Sequence, residues 1–304
     1  MKRIFLLLFL VFVFLNLSSQ LGIIDYYRVA EENYKEKKYS SALEIYDTLF
    51  KLGANSAEIY FKRGQIKFAL KKDAEAISDY YTAIQLDSLQ PEVFYHRALS
   101  YFFTKKYDSA LVDLNCAIRL KTDFPNAFVY RGAIRFLTAR DADCIADETK
   151  AISLDANNYL SYYYRGMAKR QLGDNKGVIE DMTKAIGLKD NYDYYYYRGI
   201  ARYNLKDYSN AINDHSKAIS LKPDFANAYL ERGMCYIIDS EDDKAIADFT
   251  KSIELKPESA KAFHYRGMSR KYKDDIEGAC MDLRKALKLG YPKSVDELEK
   301  INCN

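Results

Sequence analysis

The stretch YYYRGMAKRQLGDNKGVIEDMTKAIGL, residues 162–188, places apolar or small residues at Tyr162, Gly166, Val178, Met182, Ala185 and Ile186 on either side of a polar break around Gly173-Asp174-Asn175. Spacings of three and four within each half put those residues on one face of a helix, so the stretch reads as two helices joined by a tight turn. Its Tyr164-Arg165-Gly166 returns as Tyr197-Arg198-Gly199 and Tyr265-Arg266-Gly267. The arginine alone recurs more widely, at Arg63, Arg97, Arg131, Arg165, Arg198, Arg232 and Arg266, spaced by 34 residues at every step but one, where the step is 33. Sixteen residues after each stands an aspartate: Asp79, Asp113, Asp147, Asp181, Asp214, Asp248 and Asp282. A fixed self-similar period of this length is the mark of stacked structural repeats.

On a 34-residue frame with the glycine at position 8, units start near Ile23, Ala57, Pro91, Pro125, Tyr159, Tyr192, Ala226 and Ala260. Position 4 is always aromatic, from Tyr26 and Tyr60 to Phe263, and position 8 is always Gly or Ala. Positions 20 and 27 are mostly alanine, as in Ala76 with Ala83 and Ala211 with Ala218. Glycine inside a helix costs about 1 kcal/mol relative to alanine. Six glycines at one frame position therefore imply a close helix crossing that outweighs this cost. Position 7 lies nine residues before the turn centre and position 23 seven after it, so the Arg and Asp of one hairpin come within about 3 Å of the same height. In the first unit these positions are Val29 and Ile45, and the two charges vanish together. That favours pairing inside one unit, with a structural role for an array of identical pairs; a catalytic site is a single asymmetric constellation.

The pattern resembles the tetratricopeptide repeat: aromatic at 4, small at 8, aromatic at 17 (Tyr39, Tyr107, Tyr208), alanine at 20 and 27, and proline at 32 (Pro223, Pro257). It departs from the family in placing arginine at position 7, and in Cys144 and Glu148 at positions 20 and 24 of the fourth unit, where looser packing is expected. The resemblance implies an all-α, right-handed superhelical α-solenoid of antiparallel hairpins, eight of them over residues 23–291, with residues 292–304 forming a C-terminal capping helix and tail. Ser294 followed by Glu297 reads as a capping box that starts this last helix. In the family the first helix of each repeat lines a concave groove. The stripe of positions 5, 9 and 12 here reads Tyr95, Leu99, Phe102, then Phe136, then Tyr163, Met167, Arg170, then Tyr196, Tyr203 and Met234. An exposed apolar stripe of this extent marks a binding site, while packing of positions 9 and 12 against the neighbouring helix is the alternative. The family's carboxylate clamp uses Lys and Asn at positions 5 and 9 of its first unit; Tyr27 and Glu31 stand there instead.

Residues 1–20 read as an export signal: Lys2 and Arg3, twelve apolar residues from Ile4 to Leu15, then Ser18-Ser19-Gln20. An uncleaved anchor is the alternative, and membrane contact is expected only through this segment. The formal net charge is +3, which speaks against a nucleic-acid binder. Five cysteines form no CxxC pair, and read as small packing residues, with Cys280 and Cys303 the one pair in which a bridge is worth testing. The three histidines are too dispersed for a metal site; His215 falls on a core position and reads as a hydrogen-bonded packing residue. No phosphate loop, HExxH or GxSxG occurs. The expectation is an exported, non-enzymatic scaffold without cofactor that holds a protein or peptide in its groove. A groove for an apolar small ligand, a lipid or glycan fragment, is the alternative, with enzyme activity a distant third.

Overall fold

The computed structural model describes residues 23–303; the expected leader at residues 1–20 lies outside them. The described residues form seventeen helices and no strand. The chain divides into two compact units, one ending at Leu137 and one beginning at Thr138. The first holds α1 (residues 23–35), α2 (Tyr39–Lys51), α3 (Ala57–Ala69), α4 (Asp73–Leu86), α5 (Pro91–Phe103), α6 (Tyr107–Leu120) and α7 (Pro125–Leu137). The second holds α8 (Asp141–Leu154), α9 (Tyr159–Gln171), α10 (Asn175–Leu188), α11 (Tyr192–Asn204), α12 (Tyr208–Leu221), α13 (Ala226–Ile238), α14 (Asp242–Leu255), α15 (Ala260–Tyr272), α16 (Ile276–Lys288) and α17 (Ser294–Lys300). Successive helices pack as hairpins, α3 on α4 and α5 on α6 in the first unit, then α9 on α10 through α15 on α16 in the second.

Turns of three residues make the hairpins. After α3 the Lys71 N–H donates to the carbonyl of Phe68 and the Lys72 N–H to that of Lys67, both at 2.9 Å. These are the two bonds of a Schellman stop, and they need Lys71 in the left-handed region at φ 62°. Two return helices start on a side-chain cap: Asp174 accepts from the Gly177 N–H and Asp275 from the Gly278 N–H, each at 2.9 Å, whereas Asp207 before α12 makes no such bond.

The small residues sit where helices cross. A Cβ on Gly64 would lie 2.6 Å from the Tyr80 ring, and one on Gly233 would lie 2.7 Å from the Phe249 ring. Position 8 thus yields its volume to position 24 of the same hairpin, whose occupants Tyr80, Leu114, Met182, His215, Phe249 and Leu283 are all buried. Ala76, Ala83, Ala110, Ala117, Ala211 and Ala218 are fully buried beside them. In the fourth unit Cys144 and Glu148 are fully buried too, so the substitution there changes the chemistry of the interior rather than opening it.

The end of the array corrects one expectation. Ser294 does not cap α17: it is the first helical residue, buried, and its hydroxyl is 3.0 Å from His264 Nδ1 on α15. Glu297 does not reach back to the N-terminus of α17 but accepts from Lys271 at 3.0 Å and Lys300 at 2.7 Å. Cohesion with α15 takes the place of a cap. A disulfide joins Cys280 on α16 to Cys303 just beyond α17, with their Cα atoms 5.6 Å apart.

Candidate functional site

Arg63, Arg97, Arg165, Arg198, Arg232 and Arg266 each fork onto the aspartate sixteen residues on. Arg97 donates from Nε and Nη2 to the two oxygens of Asp113, both at 2.8 Å, and Arg63–Asp79, Arg165–Asp181, Arg198–Asp214, Arg232–Asp248 and Arg266–Asp282 close at 2.6–2.8 Å. The carboxylates are buried, and the guanidinium of every arginine lies 5.3–5.9 Å from the aromatic ring of position 4, three residues back, from Tyr60 to Phe263. Arg131 lies in the first unit and Asp147, also buried, in the second.

Two features of this network were not read from the sequence. The remaining nitrogen, Nη1, reaches the preceding hairpin at frame position 25: Asp47 from Arg63 at 3.2 Å, Asn115 from Arg131 at 2.7 Å, Ser216 from Arg232 at 3.0 Å and Thr250 from Arg266 at 3.1 Å. The arginine therefore ties its own hairpin and clips it to the one before. A second cation, four residues later, joins the same carboxylate in four units: Lys67 to Asp79, Lys169 to Asp181, Arg202 to Asp214 and Arg270 to Asp282, at 2.7–2.9 Å. The polar residue that recurs at position 25 was the available sequence signal.

The residues of the expected binding stripe make packing contacts within and between hairpins, and most of them remain half-buried. Leu99 and Met167 are only 7% and 4% exposed, so position 9 offers little surface in those units. Tyr95 is half-buried with its ring 4.9 Å from Phe124 and 5.9 Å from Tyr130. Phe102 lies 5.4 Å from Tyr130, and Phe136 is half-buried on α7. In the second unit Tyr163 stands 5.3 Å from Tyr194, Tyr196 stands 4.8 Å from Phe225, Tyr203 stands 5.4 Å from Tyr208, and the Arg170 guanidinium covers Tyr197 at 5.1 Å. Met234 packs partly buried on the cluster of Leu230 and Phe249. Burial raises the hydroxyl pKa of Tyr95, Tyr163 and Tyr196, so these side chains stay neutral. Aromatic rings across each step supply the contact area that small alanines cannot.

What remains open is one turn further along. In the first unit Phe68 and Ala69 at the end of α3, Lys71 in the turn, Asp73 at the start of α4, Leu99 and Phe103 on α5 and Tyr130 on α7 line a cleft of about 490 Å³. Phe103 is 56% exposed there, its ring 5.7 Å from Phe68 and 5.4 Å from Phe102. Such volume suits a bulky side chain or a small ligand. Phe68 and Phe103 escaped the sequence reading because the stripe starts only at the third unit, leaving out Phe68 at position 12 of the second, and does not include position 13, where Phe103 stands. Behind them His96, held 3.1 Å from Gln65, is pushed down to about 4 by burial and is neutral. His215 is likewise pushed down to about 3 by burial, but neither ring nitrogen finds a hydrogen-bond partner among the described residues, so it is a space-filling ring against Gly199 and not the hydrogen-bonded residue expected. Among the described residues no group of three or more His, Cys, Asp or Glu is placed to hold a metal, and no helix is long and apolar enough to cross a membrane.

Tandem hairpins with an aromatic at position 4 crossing on a small residue at position 8 define an all-α repeat protein. The chain carries tetratricopeptide repeats: models of that family match residues 27–92 and 226–259. No curated protein matches the sequence. Among solved structures, the C-terminal part of a tetratricopeptide-repeat protein from Cytophaga hutchinsonii is 24% identical over 78% of this chain and 99% of its own, with a TM-score of 0.63. A tetratricopeptide-repeat protein from Parabacteroides merdae is 18% identical over 82% of this chain and 99% of its own, TM-score 0.56. YrrB, described as having an unusual peptide-binding site, is 22% identical over 62% of this chain and 97% of its own, TM-score 0.56. At these identities the likeness is one of fold.

Proposed function

We propose that the protein is a non-enzymatic scaffold that holds an extended peptide segment of a partner protein, with a bulky apolar side chain of that segment seated in the cleft of the first unit. The observation that carries this reading is Phe103: a large aromatic more than half exposed, beside Phe68 and over a cleft, where most other aromatics of these helices are packed away. Rigid aromatics in a preformed cavity bind with little loss of conformational freedom. The peptide-binding site named for YrrB is a precedent for such use of the fold. Export to an oxidising compartment belongs to the same proposal, and the Cys280–Cys303 bridge supports it, since such bridges persist where thiols are not kept reduced.

The test is selection of peptides on the purified protein from a displayed library, followed by fluorescence anisotropy with wild type and with Phe68→Ala/Phe103→Ala. The double variant should bind at least about tenfold more weakly, as expected for losing an aromatic anchor, while still folding with a somewhat lower melting temperature, since Phe68 also packs on the core cluster of Tyr80 and Val93. Equal binding by both proteins would exclude the cleft. The cleft's volume also fits a small apolar ligand, and native mass spectrometry showing a co-purified molecule lost in the same variant would favour that second reading.

A further inference from the structure

The hairpin turns of the first unit, residues 36–38, 70–72 and 104–106, carry six lysines and a single acid, Glu36. The last two hairpin turns of the second unit, residues 239–241 and 273–275, carry Asp239, Glu241, Asp274 and Asp275 against Lys273, and Asp242 and Asp243 follow directly. Glu241 pairs with Lys244, Asp243 with Lys273 and Asp275 with Arg270, while Asp239 and Asp274 have no ion-pair partner within 4 Å among the described residues. A net charge of +3 conceals this separation.

The lysines are not there for the turn. Lys37, Lys71 and Lys105 stand at φ 60°, 62° and 59°, the left-handed region in which a Cβ is strained and which glycine or asparagine fills most easily. The turn after α9 uses Gly173 at the same place. Three consecutive hairpins keep a lysine there and follow it with another, Lys38, Lys72 and Lys106. All six are exposed. Lys71, Lys105 and Lys106 have no ion-pair partner within 4 Å among the described residues, while Lys38 meets Glu36 at 2.6 Å and Lys72 meets Glu75 at 3.9 Å. The other turns fill the same left-handed position with Ala139, Lys206, Ser240 and Asp274, so what sets the first unit's edge apart is its charge.

Both edges also expose large apolar residues at the last position of the first helix of a hairpin: Phe103 at 56% on the lysine edge, and Ile238 at 43% and Tyr272 at 61% on the acidic edge. We propose that the lysine edge of the first unit docks on the acidic edge of the second unit of another copy of the chain. Each edge is a ladder of the same hairpin, so successive turns within each are spaced alike. Two lysine turns can therefore meet two acidic turns at once, with the exposed apolar residues adding contact between them. The contact joins unlike patches, so it is heterologous and leaves each copy one edge to offer to a further copy. This goes beyond the peptide-holding role, with which it shares Lys71 and Phe103.

Sedimentation of the purified protein tests it. Self-association should weaken about tenfold or more between about 50 and about 300 mM salt, because exposed charges are screened over that range. Lys72→Glu/Lys106→Glu and Asp239→Lys/Asp274→Lys should each be monomeric alone and associate when mixed, since the reversed edges then complement one another. Lys37→Asn/Lys71→Asn/Lys105→Asn should melt higher, because asparagine suits the left-handed turn, and yet associate less. A wild type that stays monomeric in low salt up to about 100 µM would overturn the proposal. So would salt-independent association, a mixture of folded charge-reversed variants that stays monomeric, or an asparagine variant that associates like wild type.

Discussion

Asp181 accepts from Arg165 Nε at 3.0 Å, from Arg165 Nη2 at 2.6 Å and from Lys169 at 2.9 Å, with its side chain 2% exposed. Removing it leaves two cations facing a buried hole, and Asp181→Ala should cost about 3 to 5 kcal/mol, read as a clear fall in melting temperature; an unchanged melting curve would sink the buried-pair account. At Gly233 two effects oppose. Alanine in a helix gains about 1 kcal/mol over glycine, but its Cβ would stand 2.7 Å from the fully buried Phe249 ring, which has no room to move. Overpacking of that kind costs about 1 to 3 kcal/mol, so Gly233→Ala should destabilise, whereas Gly233→Ala/Phe249→Leu should recover most of the loss. Glu148 is the third test. Burial and then the nearby Asp147 hold its carboxyl well above the ordinary value of 4.5, against the opposing effects of Ser161 and Arg165. Folding thus retains a proton that the unfolded chain releases, and stability falls as pH rises from about 4.5 upward. Glu148→Met, the residue type found at Met182, should stabilise at pH 7 by on the order of 1 to 3 kcal/mol and flatten the dependence of melting temperature on pH above that point.

At the scale of elements, the first and second helices of each hairpin were legible because period and small-residue spacing are both backbone demands. The start of α17 was not. Ser294 and Glu297 have the spacing of a cap, yet His264 and Lys271 on α15 claim them, and nothing local distinguishes a serine that caps from one that packs. The bridge that holds this helix closes a separation of 23 residues, worth about 3 kcal/mol by loop-closure entropy. Reduction, or Cys303→Ser, should lower the melting temperature and raise hydrogen exchange in α16 and α17 first, with α9 to α12 little changed. Uniform loss of protection across the second unit would show instead that the last hairpin carries no separate stability.

For the molecule as a whole, the fold could be read from one arginine and one aspartate because every unit after the first repeats them, and repetition averages out local noise. The site could not be read in that way. Function lies where units differ: a stripe drawn through equivalent positions returned the buried Met167 together with Leu99, which lines the cleft, while Phe68 and Phe103 become neighbours through the offset of one hairpin on the next. The most direct test of the binding account is a nuclear magnetic resonance titration of the protein, labelled at phenylalanine and tyrosine, with a peptide selected on it. The predicted result is perturbation of Phe68, Phe103 and Tyr130 and none at Tyr229 or Phe263, whose rings lie by the arginines of their own helices. Shifts confined to the second unit, with Phe68 and Phe103 unmoved at saturation, would contradict it.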